Sequence, residues 1–186
     1  MLSDPTVPPP ATLPKVDLLV ITASSGENLA LAERCVAAAR AVGLRAEVLD
    51  LTSLELPLYT ARRQASDGIP PEVAALSHRL ATAPRWLICA PEYNGSIPPV
   101  LTSAIAWLSV QGDDFRSLFN QRPVAIATHS GGGGMGLLTA LRLQLVHLGA
   151  NVVGRQLLAT HARPASDDTI RDLVDRLLNL AVVSAI

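Results

Sequence analysis

The chain has no run of basic residues anywhere, and its formal charge over 186 residues is only −1. A nucleic-acid surface or a polybasic membrane anchor needs clustered Lys and Arg, so both classes are disfavoured. No apolar stretch reaches the roughly 20 residues that a spanning helix requires. The start of the chain lacks a basic segment followed by an apolar one, the pattern of a secretory leader. Cysteine is scarce: only Cys35 and Cys89 occur, each inside an apolar run. Two such residues make no disulfide framework and read as small buried hydrophobes. These absences point to a cytoplasmic protein. Apolar residues make up 49% and charged ones 17%, a balance that suits a globular chain. The length suits one domain with a sizeable core.

The first 14 residues hold five prolines and read as a disordered or polyproline arm. The domain is expected over residues 15–186. Asp17-Leu18-Leu19-Val20-Ile21-Thr22 is a β-type apolar run, followed by a loop at residues 23–28. Leu29, Ala32, Val36 and Ala39 then recur at helical spacing, and Gly43 suits the residue just past that helix. Residues 45–51 read as a second strand. Residues 52–69 show no clean period and read as a long loop, uncommon unless functional or mobile. A helix opens at Pro70-Pro71-Glu72 and carries Val73, Leu76 and Leu80. Trp86-Leu87-Ile88-Cys89 is the third strand, and a helix over about residues 100–107 follows its loop, with Ser96 as a fair N-cap. Residues 123–128 make a fourth strand, residues 137–148 a very apolar helix, and Asn151 starts a fifth strand region. A last helix runs from Asp167 to about Leu180, with acidic residues at its start where the helix dipole favours them.

Strands alternating with helices imply an α/β fold, a parallel sheet covered on both faces. Five such units suit a three-layer sandwich with the flavodoxin-like strand order 2-1-3-4-5. In that order the first, third and fourth strands are neighbours, so the three unusual loops meet at one sheet edge. The first loop offers Ser24, Ser25 and Asn28 together with N–H groups at a helix N-terminus, a phosphate-sized donor set without Lys or Arg. Ordinary N-capping by one of these serines is the competing use. The second, residues 90–99, carries Pro91, Glu92, Tyr93 and Asn94, with Asn94-Gly95 as a tight-turn pair. The third carries Ser130, Gly131, Gly132, Gly133 and Gly134, whose missing side chains allow backbone to approach a flat ligand. Its G-x-G-x-x-G lies on the wrong βα turn for a dinucleotide fingerprint, and no acidic residue follows until Asp167. Ser130 is no nucleophile elbow, because Thr128 stands where glycine is needed. The four histidines show no metal spacing, and no metal site is expected. His129 beside the glycine loop either faces a ligand or is held by hydrogen bonds. The site reads as built for a cofactor, with no catalytic acid–base side chain.

Pro91-Glu92-Tyr93-Asn94-Gly95-Ser96-Ile97-Pro98 resembles the P-E-Y-N-x-S-x-P signature of the NADPH-dependent FMN reductase family. The likeness continues through Leu101, Ala104, Ile105 and Trp107, through Leu56-Pro57-Leu58-Tyr59, and through residues 130–136 with Leu141-Arg142 and Leu148-Gly149. It spans about residues 15–160, with the motifs in order. The resemblance implies non-covalent FMN, NADPH or NADH as co-substrate, and usually a homodimer or homotetramer. It implies electron transfer to a flavin, quinone, azo compound or metal oxyanion. An FMN-binding redox carrier or sensor with little reductase activity is the alternative. By position, Ser24, Ser25 and Asn28 would hold the FMN phosphate. Pro91, Glu92, Tyr93 and Asn94 would line the ring and ribityl chain, and residues 130–134 the ring's other edge. This chain's first loop is shorter than the family's usual G-S-x-R-x-x-S-x-N and has no Arg.

Overall fold

The structure is a computed structural model that describes residues 16–182. The expected N-terminal arm lies outside the described residues. Five strand positions form a parallel sheet in the order β2-β1-β3-β4-β5. They are β1 (Leu18–Thr22), β2 (Ala46–Asp50), β3 (Trp86–Cys89), β4 (Pro123–His129) and the two-residue β5 (Asn151–Val152). A sixth strand, β6 (Leu157–Ala159), also pairs with β4, further along it. Asn151 lies opposite Pro123 whereas Ala159 lies opposite His129, so two short pieces share one edge of β4. The guanidinium of Arg142 donates to the carbonyl of Val153 at 2.9 Å and to Gln156 Oε1 at 3.1 Å, fastening the link between the pieces.

Helices α1 (Glu27–Ala41), α2 (Ala61–Asp67), α3 (Pro71–Thr82), α4 (Pro99–Leu108), α5 (Met135–His147) and α6 (Asp167–Leu178) complete the layers. The period of two along each strand divides the core. Leu19, Ile21, Trp86, Ile88, Val124 and Ile126 point to the side of α3, α4 and α5. Leu18, Val20, Leu87, Cys89, Ala125 and Ala127 point to the side of α1 and α6. All five residues of β1 are buried. Covering both faces removes the polar alternation of a half-exposed strand. Each fully buried Leu or Ile side chain contributes about 1.5–3 kcal/mol, so these central strands anchor the loops that leave them.

Three sequence expectations are corrected. The stretch at 52–69 is not one loop: it holds a 3₁₀ turn at Leu51–Leu54 and the seven-residue α2, capped by Thr60 Oγ1 accepting from the Arg63 N–H at 3.0 Å. None of the residues of α2 is buried, so it carries no apolar period to read. Ser96 does not cap α4; Pro98 stands at that position, and Ser96 closes the preceding turn on Tyr93. No serine side chain caps α1 either, whose N-cap is Gly26.

Candidate functional site

Parallel pairing of β1 with β3 and of β3 with β4 sets their carboxyl ends side by side. The loops that leave there are tied together by hydrogen bonds that span long stretches of chain. Asn28, buried in the first turn of α1, donates its amide to the His129 carbonyl at 2.9 Å. Its Oδ1 accepts from the His129 N–H at 2.9 Å. Both ends of this side chain therefore hold β4 against α1. A second tie has a definite direction. The Glu92 N–H donates to Ser130 Oγ at 2.9 Å, and Thr128 Oγ1 donates to the Ala90 carbonyl at 2.7 Å. The Ser130 and Thr128 hydroxyls lie 2.8 Å apart. With the Thr128 proton committed to Ala90, the Ser130 proton must go to Thr128. The loops after β3 and β4 are thus one hydrogen-bonded unit, and buried bonds of this kind are costly to leave unmade.

Glu92 adds a further link. Its Oε2 accepts from the Leu137 N–H at 3.1 Å, in the first turn of α5. The α5 N-cap, Gly134, has no side chain to do this. A carboxylate from another loop therefore caps the helix and meets its positive end. The glycines divide accordingly. A Cβ on Gly136 would lie 2.2 Å from the Gly95 carbonyl oxygen, and one on Gly134 would lie 2.5 Å from Thr128 Cγ2. These two permit the chain to pack on itself. A Cβ on Gly131 or Gly133 would meet nothing within 4 Å, so here the loop faces open space.

The first loop presents unused donors. The N–H groups of Ser25, Gly26, Glu27 and Asn28 have no acceptor among the described residues, and neither Ser24 nor Ser25 uses its hydroxyl in a hydrogen bond there. A helix N-terminus with consecutive free N–H groups favours an anion. Across the site, Asn94 and Gly95 have φ of 51° and 72°, which fold the tip between Tyr93 and Ser96. Tyr93 is half exposed at this tip, and Pro91 leads into it from β3. Cys89 ends β3 beneath the loops, where burial first, and then the neighbouring Cys35, pushes its thiol well up and keeps it protonated.

The structure therefore brings Ser24, Ser25, Asn28, Pro91, Glu92, Tyr93, Asn94 and the loop from Ser130 to one sheet edge. It also gives several of them work within the protein: the Asn28 amide, the Ser130 hydroxyl, the Glu92 carboxylate and Gly134. Thr128 was not singled out by sequence reasoning. Its signal is a hydroxyl residue inside an otherwise apolar strand, just before the loop.

A parallel sheet of this order, with its loops gathered where the chain reverses direction across the sheet, is the flavodoxin-like arrangement. The model of the NADPH-dependent FMN reductase family matches residues 16–164, and the chain belongs to that family. Quinone reductase of Escherichia coli (strain K12) is 39% identical over 112 residues, 59% of this chain and 58% of that protein. A probable NADPH:quinone oxidoreductase 1 of Oryza sativa subsp. japonica is 33% identical over 136 residues, 72% of this chain and 66% of that protein. The chain thus matches less than two thirds of either relative's length. Among solved structures, FerB, a flavoenzyme NAD(P)H:(acceptor) oxidoreductase from Paracoccus denitrificans, superposes with a TM-score of 0.71. That match has 23% identity and covers 89% of this chain and 96% of FerB, a likeness of fold.

FMN is the cofactor of the family and NAD(P)H its co-substrate, and the residues present suit a flavin that carries a phosphate. The unused donors of the first loop suit an anion, and a Cβ on Gly131 or Gly133 would meet open space. No helix among the described residues is long and apolar enough to cross a membrane.

Proposed function

We propose that this chain is an NAD(P)H oxidoreductase that passes electrons from nicotinamide through bound FMN to a quinone or a similar flat acceptor. The observation that carries the reading is the convergence of three hydrogen-bonded loops around unused N–H donors at the switch point of the sheet. Bound FMN would supply the two-electron chemistry, accepting hydride and returning electrons to the acceptor. The protein's part is to bind and orient. Ser24, Ser25 and the N–H groups at the start of α1 hold the phosphate. Pro91, Glu92, Tyr93 and Asn94 line one side of the flavin, and Ser130, Gly131, Gly132, Gly133 and Gly134 line the other. Asn28 contributes its backbone N–H, since its amide is engaged by His129.

With three loops and the sheet edge gathered around it, such a ring would be left with one open edge for both donor and acceptor. Nicotinamide must therefore leave before the acceptor enters, which is a ping-pong order. Anaerobic mixing of FMN-loaded protein with NADPH or NADH should bleach the flavin absorbance. Double-reciprocal plots against a quinone should be parallel. Bleaching without turnover would instead mark a redox carrier, and intersecting lines would overturn the single-edge argument.

A homo-oligomer completes the proposal. Leu143, Val146 and Met135 of α5 are 68%, 56% and 55% exposed, while Leu137, Leu138, Leu141 and Leu145 fill the core. A second copy covering this stripe would remove that apolar surface from water. Light scattering at micromolar concentration tests it, and a monomer refutes it.

A further inference from the structure

His129 is the last residue of β4 and turns its ring toward α1. Its Nε2 lies 3.9 Å from Glu27 Oε2, and its side chain is only 12% exposed. Glu27 is the first helical residue of α1 and carries one of the unused N–H groups. Against the other side of His129 lies the ring of His161, edge to face, with centroids 4.8 Å apart. His161 is exposed, in the turn closed by Thr160 and Arg163 after β6. The first loop itself offers a phosphate no Lys or Arg, and Glu27 places a carboxylate at its mouth. With both histidines neutral, the ionised carboxylate leaves this cluster at −1, which opposes a dianion. One proton on the pair cancels that charge, and a second reverses it.

We infer that His129 and His161, working against Glu27, supply the charge that selects a flavin phosphate here, so that FMN binding takes up a proton on the histidine pair. The inference rests on the first loop being the phosphate site. Arg163, which closes the turn that carries His161, keeps its positive charge throughout this pH range and so adds a constant attraction and no pH dependence. Asp167 at the start of α6 pairs with Arg34 of α1 at 2.6 Å, and the buried Cys89 thiol of β3 is neutral. Histidine is the side chain whose charge changes near neutral pH. A bound dianion holds the proton to higher pH. The added affinity is therefore present at low pH and falls as pH rises. The phosphate's own second ionisation, near pH 6, acts in the opposite sense and is complete above about pH 7.

The test is flavin fluorescence quenching, giving Kd for FMN and for riboflavin from about pH 6.5 to 9, mostly above the phosphate's own second ionisation. When binding takes up one proton, affinity falls by up to about tenfold for each unit by which the pH is raised. The preference for FMN over riboflavin should therefore fall about tenfold across the range. His161→Gln, at an exposed position, should flatten that fall, and His129→Gln should do the same if thermal unfolding shows it folded. Glu27→Gln should tighten FMN several-fold at the high-pH end and leave riboflavin unchanged. A large preference for FMN that stays level with pH would overturn the inference. So would a Glu27→Gln protein with unaltered FMN affinity. Equal affinity for FMN and riboflavin at every pH would remove the phosphate reading of the first loop, and this inference with it.

Discussion

Gly136→Ala separates two opposed effects at the entrance to α5. Intrinsic helix propensity favours alanine over glycine by about 1 kcal/mol, so a helix considered alone would gain stability. The surroundings reverse the sign. The new Cβ would lie 2.2 Å from the Gly95 oxygen and 2.8 Å from its carbonyl carbon. Ordinary contact needs at least 3.4 Å, so the turn and the helix must part by about 1.2 Å. That opening takes Glu92 Oε2, now 3.1 Å from the Leu137 N–H, out of hydrogen-bonding range. Overpacking costs about 1–3 kcal/mol, and the lost bond to a charged group about 1.5–3. After the propensity gain, the net expectation is a loss of about 1.5–5 kcal/mol. Urea unfolding monitored by far-UV circular dichroism measures it. Gly131→Ala, whose Cβ meets nothing, is the control and should stay near the parent. FMN affinity of Gly136→Ala should fall as well, because the glycine loop moves with the helix. A Gly136→Ala protein as stable as its parent, or more stable, would refute the packing argument and leave propensity in charge.

Gly133→Val should lose most FMN affinity in calorimetric titration while remaining folded, because its side chain would enter the open space; its φ of 113° adds strain. A folded variant with unchanged affinity would place the ring elsewhere. Arg62 has no partner among the described residues, whereas Arg63 lies 3.5 Å from Asp67. Arg62→Ala should therefore raise the nicotinamide KM more than it lowers kcat, the mark of lost uniform binding. Equal KM values for variant and parent would remove Arg62 from nicotinamide binding. The acid limit tests the surface ion pairs. A hydrogen bond and the charge of Arg34 hold Asp167 below the usual carboxylate range, and Arg176 does the same for Asp172. Their contribution is full above the unfolded value of 3.8 and disappears as pH falls through the lower folded value. Arg34→Gln should thus be less stable than the parent at pH 7 in urea, with a smaller deficit near pH 2, where only its bond to the Ala165 carbonyl remains to be lost, while a constant difference would contradict the linkage.

The sheet order was legible because each strand is a short apolar run between turn signals, and alternation of strand with helix leaves few topologies. Gly43, with φ of 85° just after α1, stands where the spacing placed it. Asn94-Gly95 likewise adopts the positive φ its sequence suggests. The missed features share a cause: each depends on partners distant in sequence. Nothing near Glu92 shows that its carboxylate caps a helix starting at Met135. Nothing near Asn28 shows that both ends of its amide belong to His129, 101 residues away. The divided fifth strand was hidden by brevity, since Leu157–Ala159 is too short to show a period.

The helix α2 has a consequence of a different kind. It buries none of its residues, yet its approach is firmly held: Trp107 Nε1 donates to the Pro57 carbonyl at 2.7 Å, and Tyr59 meets Trp107 edge to face at 5.1 Å. The chain there resembles a handle bolted at its base and free of packing at its grip. Mutations in the grip escape the packing constraint that governs α4 and α5, so this stretch can drift in sequence or accept insertions while the sheet remains fixed. Relatives that share the fold are then free to diverge here first. For an engineer, the residues of 61–67 other than Arg62 are the place to randomise, with selection acting on the surface they present and little folding penalty to filter the library.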